Sequence, residues 1–183
     1  MSKIFYDEHG RYQINLNAAK YAVGDLHEKY KTIGNFLSDV DWIAETDTEI
    51  FLIEYKNSAV QGIAEDEGFR AKLKGDNYRI FLDSLKKKFY GSTYYLYSCQ
   101  KCKPLTYIVI LEARFLKHND NLRKRILASI KKHLPFGLQE LKLPEIKDNL
   151  INDVKVLSIQ EWNEQYPMFP LEEVKKELIL EHV

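Results

Sequence analysis

The sequence predicts an α/β fold in which a mixed central β-sheet is flanked by α-helices. A mainly apolar hairpin occupies residues 41–56, and residues 107–111 form a near-continuous apolar run that is typical of a central strand. Apolar residues recur at helical spacing in the sequence before and after these strands. With 183 residues, 45% of them hydrophobic and 30% charged, the chain is expected to form a single domain over residues 1–183.

Before this main hairpin, the sequence predicts a small hairpin and a helix. Residues 3–16 alternate loosely in polarity around a turn at residues 8–10. A helix is then expected to begin at Asn17, a residue type favoured at helix N-termini, because apolar residues recur at helical spacing as far as about Thr32.

After the main hairpin, helices and strands are expected to alternate. A helix that begins at Asp76 carries its apolar residues on one face and is expected to end at Gly91. Two strands follow, over residues 93–97 and 106–112. The other elements expected in this part of the chain are a short helix within 58–74, a helix over 122–134, a strand over 154–157, a helical turn over 159–165 and a last helix over 171–180.

The main hairpin is expected to bring three charged side chains together. Successive side chains of a strand alternate between its faces, so Glu54 and Lys56 share one face. If the loop has an even number of residues, Asp41 lies opposite Glu54, with Cβ atoms about 5 Å apart. Asp39 has the same parity two residues further out, but Asp41 directly precedes the apolar strand and is preferred.

Two carboxylates and a lysine suit metal-assisted hydrolysis of phosphodiesters. Mg²⁺ takes oxygen ligands and usually keeps several waters. A bound divalent ion polarises a phosphodiester and acidifies water, and a lysine beside it orients or deprotonates that water or neutralises charge on the phosphate. The pattern therefore indicates Asp41, Glu54 and Lys56 as the candidate catalytic residues.

The hairpin resembles the PD-(D/E)xK nuclease superfamily, whose members have a restriction-endonuclease-like fold. The resemblance rests on Asp41, twelve intervening residues and then Glu54-x-Lys56 after an apolar strand, while Val40 replaces the proline of the name. It implies a nuclease that uses Mg²⁺ or Mn²⁺ to hydrolyse phosphodiester bonds of nucleic acid, with DNA as the expected substrate.

The same resemblance implies a set of metal ligands, and the positions of basic residues along the chain suggest phosphate contacts. Asp41 and Glu54 are the expected ligands, and the backbone carbonyl of Tyr55 is a further candidate. Glu28 on the first helix is either an additional ligand or a solvated helix residue. Four basic residues are candidates for contact with the nucleic-acid backbone, although a solvated surface position explains each of them as well. These residues are Lys72, Lys74, Lys86 and Arg123.

Net charge and targeting signals say less about the function than the residues of the hairpin do. The formal net charge is zero, which argues modestly against tight non-specific binding of DNA. The N-terminal residues lack the apolar region of a signal peptide, and no apolar run reaches membrane-spanning length, so a cytoplasmic location without a membrane partner is expected. Many nucleases of this kind dimerise, which makes a homodimer one possible arrangement.

Two other classes of function stay open on the sequence. One is a non-catalytic module that binds nucleic acid or protein on the same fold. The other is a structural or interaction protein in which the charged residues of the hairpin are solvated.

Overall fold

The structure, a computed structural model, describes residues 2–32, 37–58, 63–116, 119–145 and 150–174. It is a mixed α/β fold with a five-stranded sheet flanked by helices. The strands are β1 Ile4–Tyr6, β2 Tyr12–Asn15, β3 Tyr21–Val23, β4 Trp42–Glu45, β5 Ile50–Asn57, β6 Leu105–Glu112, β7 Ile151–Leu157 and β8 Leu171–Glu173. The helices are α1 Leu26–Thr32, α2 Ile63–Lys72, α3 Gly75–Ser98, α4 Asp120–Lys132, α5 Phe136–Glu140 and α6 Ile159–Gln165, with a 3-10 turn at Arg114–Leu116.

The central sheet has the strand order β3-β4-β5-β6-β7. Strands β3, β4 and β5 pair antiparallel, whereas β5, β6 and β7 pair parallel. A smaller antiparallel sheet has the order β1-β2-β8. The middle strands β5 and β6 are therefore enclosed by neighbours on both edges.

Both faces of the central sheet are covered, which explains why β5 and β6 are apolar along both faces. Leu52 and Val109 belong to a core on the side of α3 and α4. Ile53 and Ile108 belong to a second core, on the side of α6, which contains the fully buried Trp162. Because side chains alternate along β5, Glu54 points toward the α3 side.

Several elements agree with the sequence. The small N-terminal hairpin is β1 and β2, and the main hairpin is β4 and β5. The expected strands over 106–112 and 154–157 are β6 and β7, and the expected helix over 122–134 is α4. Helix α6 begins as predicted, because Ser158 and Glu161 form a reciprocal capping box.

The expected helix over 17–32 is wrong in its first half. Residues 21–23 form the edge strand β3, which pairs with β4, and only residues 26–32 are helical. The tertiary pairing outweighs the local helical spacing, since Val23 contributes to the core beneath the sheet.

The expected end of a helix at Gly91 and the expected strand over 93–97 are also wrong. Helix α3 passes through Gly91 and continues to Ser98. A Cβ atom at position 91 would overlap the backbone oxygen of Ser38, so glycine is needed for close packing rather than for a helix end. Ser92 and Leu96 are buried on the same helix, and this packing overrides the local preference for a strand.

The last predicted helix, over 171–180, is contradicted where the chain is described. Residues 171–173 form β8, which pairs with β2. The rest of that expected helix lies beyond residue 174, outside the described residues.

Candidate active site

The register of the main hairpin places Asp41 opposite Glu54. Trp42 pairs with Ile53 across β4 and β5, and the next residues outward are Asp41 and Glu54. The loop between these strands is residues 46–49, so its length is even, as the sequence argument required. The backbone N–H of Thr46 donates to the backbone oxygen of Glu49 at 2.9 Å, which closes the turn.

Two lysines converge on this pair of acids. The Lys56 Nζ lies 2.8 Å from Glu54 Oε1, and the Lys88 Nζ lies 2.9 Å from Glu54 Oε2. The Lys88 Nζ is also 3.9 Å from Asp41 Oδ1. Two carboxylates and two ammonium groups thus form one cluster on the α3 side of the sheet.

Lys88 is the member of the cluster that the motif does not contain. The expected helix from Asp76 to Gly91 placed Lys88 near its end, whereas α3 continues to Ser98 and Lys88 lies within it. A signal for it exists in the sequence: Lys88 falls three residues after the buried Leu85 and four before the buried Ser92, and so on the buried face of the helix.

The two carboxylates have different environments. Glu54 is fully buried, and neither of its oxygens accepts a hydrogen bond of acceptable angle, although both lysines are within ion-pair distance. The Asp41 side chain is 34% exposed, and its Oδ2 accepts a hydrogen bond from the backbone N–H of Tyr55 at 2.6 Å. Glu54 therefore lies at the base of the site and Asp41 at its opening.

Burial and neighbouring charges change the pKa values of Asp41 and Lys56. Burial, and then the charge of Glu54, raises the pKa of Asp41 to about 7, against the opposing effects of Lys56 and Lys88. Burial lowers the pKa of Lys56, but the charges of Glu54 and Asp41 outweigh it and raise that pKa above its usual range. Lys56 is therefore a charged ammonium group in the metal-free protein.

An open cleft of about 530 Å³ leads to the cluster. Asp41, Lys56 and Lys88 are among the residues that line it. The turn between β1 and β2 forms one wall, and α1 forms another.

Asp39 also lines this cleft and is 6% exposed. Its Oδ1 lies 3.4 Å from Nδ1 of His27, a residue that sequence reasoning did not select. Burial raises the pKa of Asp39, and the charges of Lys88 and His27 oppose that effect. Asp39 thus belongs to the wall with His27, while Asp41 is the acid opposite Glu54.

Glu28 lies in the wall of the same cleft, but its carboxylate is exposed and bound to Lys31, 2.8 Å away. Hydrogen bonding to Lys31 lowers the pKa of Glu28. The ring of Tyr55 belongs to the core on the opposite face of the sheet and lies 5.5 Å from that of Trp42. Only the backbone of Tyr55 is therefore available to a ligand beside Glu54.

The four candidate phosphate contacts are dispersed, and none of them lines the cleft that the described residues form around Asp41. Lys72 and Lys74 are exposed, while Lys86 pairs with Asp83 at 2.6 Å. The Arg123 side chain is 15% exposed and pairs with Glu161 at 2.7 Å, which links α4 to α6. The position of Arg123 is thus better explained by its ion pair with Glu161 than by contact with a nucleic-acid backbone.

The donor set fits a hard divalent cation that keeps several waters. No group of three or more His, Cys, Asp or Glu side chains is arranged for a metal ion among the residues that the structure describes. Asp41 and Glu54 provide two carboxylates, and Mg²⁺ commonly binds through one or two carboxylates plus water. The burial of Glu54 beside Asp41 favours positive charge at this place, and in the metal-free protein Lys56 and Lys88 supply it.

The comparisons with known proteins give no match: no family model, curated protein or solved structure is similar to the chain at a significant level. In the described part of the chain, no helix is both long enough and apolar enough to cross a membrane.

Proposed function

We propose that the chain is a divalent-metal-dependent nuclease that hydrolyses phosphodiester bonds of nucleic acid, with DNA as the expected substrate. The observation that carries this proposal is the pairing of Asp41 with Glu54 across the hairpin, with Lys56 2.8 Å from Glu54, at the base of an open cleft. The proposed fold is the restriction-endonuclease-like one. An antiparallel hairpin that continues into parallel strands between helices supports it.

The proposed roles of Asp41 and Glu54 follow from the different environments of their carboxylates. Asp41 and Glu54 would hold Mg²⁺ or Mn²⁺, with the backbone carbonyl of Tyr55 as a further oxygen ligand. When bound, the ion polarises the phosphodiester and acidifies a water molecule. Glu28 is the weakest of the proposed ligands, because its carboxylate is already bound to Lys31.

Lys56 is proposed to stabilise negative charge on the phosphate. Its raised pKa keeps it an ammonium group, so it is unsuited to accept a proton in the metal-free state. Its side chain is 41% exposed, so the ammonium group reaches the cleft as well as Glu54. A positive group fixed beside the reacting phosphate is the kind of electrostatic stabilisation that accelerates hydrolysis.

One observation favours a second function, a non-catalytic binding module on the same fold. Lys56 and Lys88 together balance the charge of both acids without a metal ion. A cluster of this composition could have a purely structural role in the floor of a cleft that binds nucleic acid or protein.

Metal binding and cleavage distinguish the two functions. The protein, stripped with EDTA, is titrated with Mn²⁺ and Mg²⁺ while thermal unfolding is followed, and is then incubated with labelled single- and double-stranded DNA and RNA. The nuclease proposal expects a higher Tm with metal and cleavage that EDTA and Glu54→Gln abolish. Glu172→Gln, at an exposed position of β8, is the control and should retain cleavage. No metal-induced change in Tm and no cleavage of any substrate would favour the binding module.

A further inference from the structure

Lys88 touches both acids of the site, although it lies outside the hairpin that carries the motif. Its Nζ is 2.9 Å from Glu54 Oε2 and 3.9 Å from Asp41 Oδ1. Its side chain is 23% exposed and lines the cleft. The ammonium group therefore has the carboxylates on one side and the space for a substrate on the other.

The position of Lys88 is fixed by the packing of α3 one turn further along. The backbone N–H of Val40 donates to the Ser92 hydroxyl at 3.0 Å. The Tyr30 hydroxyl donates to the backbone oxygen of Gly91 at 2.7 Å, and Gly91 itself lies against the backbone of Ser38. These contacts bind α3 to α1 and to the segment that leads into Asp41, so Lys88 has a defined place in the site.

A cation held by Asp41 and Glu54 would compete with Lys88 for the same oxygens. Lys88 and a divalent ion are both positive, and unit charges about 4 Å apart interact by several kcal/mol at the dielectric typical near a protein surface. Lysine is a compact charge on a flexible stem, and the cleft gives it space on the side away from Glu54. The ammonium group can therefore leave Glu54 without a change in α3.

We propose that Lys88 is a resident cation of this site: it neutralises Glu54 and Asp41 in the metal-free protein and contacts the substrate's phosphodiester group when a divalent ion takes these carboxylates. This inference rests on the proposed nuclease function. It adds a second lysine, from a different element of the fold, to the Lys56 of the motif.

Lys88→Met tests the inference because methionine keeps a long unbranched stem and removes the charge. Lys87→Met is the matched control, since Lys87 is the exposed neighbour on the same helix. Three quantities are measured for the wild type and both variants: Tm in EDTA, the Kd for Mn²⁺ by calorimetry, and kcat and KM on the labelled nucleic acid that the wild type cleaves best. Lys88→Gln is measured in parallel, so that poor folding of one variant does not decide the result.

Loss of the Lys88 charge should lower Tm in EDTA by about 3 °C or more, since Glu54 loses one of its two cations. The same change should tighten Mn²⁺ binding about tenfold or more, because a competing charge is gone. It should also lower kcat about tenfold or more with a smaller change in KM, whereas Lys87→Met should leave all three quantities near the wild-type values.

The two proposals fail in different ways. If the wild type binds Mn²⁺ and the Lys88 variants bind it with the same Kd, the resident-cation role is overturned while the nuclease proposal stands. Tighter binding with an unchanged kcat overturns the phosphodiester contact. If the wild type does not bind Mn²⁺ at all, the proposed function fails, and this inference fails with it.

Discussion

The Asp41 carboxylate accepts a hydrogen bond of 2.6 Å from the backbone N–H of Tyr55, the residue that separates Glu54 from Lys56. This bond fixes Asp41 to β5 just beyond the last ladder pair of the hairpin, Trp42 with Ile53. One oxygen of Asp41 is thereby used by the backbone, and the other faces Lys88. The arrangement predicts measurable effects of pH, charge and packing.

The first prediction concerns the pH dependence of stability without metal. The ordinary pKa of 3.8 for Asp41 rises to about 7 in the folded protein. A raised pKa in the folded state means that the contribution of this group to stability is complete below about pH 4 and is lost as the pH rises through about 7. Asp41→Asn resembles the protonated side chain and does not titrate, so its Tm relative to that of the wild type should rise between pH 5 and pH 8, by about 3 °C or more.

Thermal unfolding in EDTA at both pH values checks this prediction. Asp153→Asn is the control, because Asp153 forms a half-exposed ion pair with Lys131 away from the cluster. An equal difference in Tm between Asp41→Asn and the wild type at pH 5 and pH 8 would contradict the raised pKa.

The second prediction concerns Glu54 as an internal counter-charge. Glu54→Ala leaves Lys56 and Lys88 facing each other without a carboxylate between them. Because both lysines are partly exposed, the cost should be less than for a fully buried pair, about 2 kcal/mol of unfolding free energy in EDTA. Urea denaturation measures it, with Glu172→Ala as the surface control.

The same variant should also lose the increase in Tm that Mn²⁺ gives the wild type. Unchanged stability in EDTA would mean that the two lysines are fully solvated, contrary to the ion pairs in the structure. Retained stabilisation by Mn²⁺ would remove Glu54 from the proposed metal site.

The third prediction separates Lys56 from metal binding. If Lys56 acts on the transition state, Lys56→Ala should lower kcat by about 100-fold or more. The Kd for Mn²⁺ should stay the same or decrease, since a nearby positive charge opposes the cation. Lys56→Arg should recover about a tenth of the rate at most, because a planar guanidinium is wider than the ammonium group that lies 2.8 Å from Glu54.

A cleavage assay and calorimetry on both Lys56 variants give the two quantities, with Lys87→Ala as the control at an exposed lysine. Full activity of Lys56→Ala would exclude Lys56 from the chemistry. A large loss of Mn²⁺ affinity would instead make Lys56 a residue that shapes the metal site.

The sequence predicted the hairpin part of the site because that geometry is local. Strand parity can be read from residues 41–56, and it places Asp41 opposite Glu54 on the condition that the loop is even, which the structure meets. The contact of Lys88 with Asp41 and Glu54 was missed because it depends on packing between residues distant in sequence, where Gly91 of α3 lies close to Ser38. A glycine after an amphipathic run is more often a helix end than a site of close packing, so the local pattern favoured the wrong choice.

The same distinction explains why the first predicted helix was partly wrong and why the start of α6 was predicted correctly. The spacing of residues 17–32 is helical, but Tyr21 pairs with Glu45 of β4, a partner that local spacing does not reveal. In contrast, Ser158 and Glu161 determine the start of α6 through contacts within four residues, so this boundary was predictable.

The last prediction tests the packing that positions Lys88. Gly91→Ala places a methyl group against the backbone oxygen of Ser38, where backbone cannot yield as a flexible side chain does. Overpacking of this kind costs about 1–3 kcal/mol of unfolding free energy. Gly68→Ala is a matched control, because Gly68 lies within α2 with no atom within 4 Å of an added Cβ, and replacing a helical glycine by alanine there should stabilise by about 0.5–1 kcal/mol. Urea denaturation of both variants should therefore give changes of opposite sign.

The Kd for Mn²⁺ should change only in Gly91→Ala, since a displaced α3 moves Lys88 relative to Asp41 and Glu54. If Gly91→Ala is as stable as Gly68→Ala, then α3 does not approach the segment before Asp41 as closely as described, and the placement of Lys88 in the site loses its support.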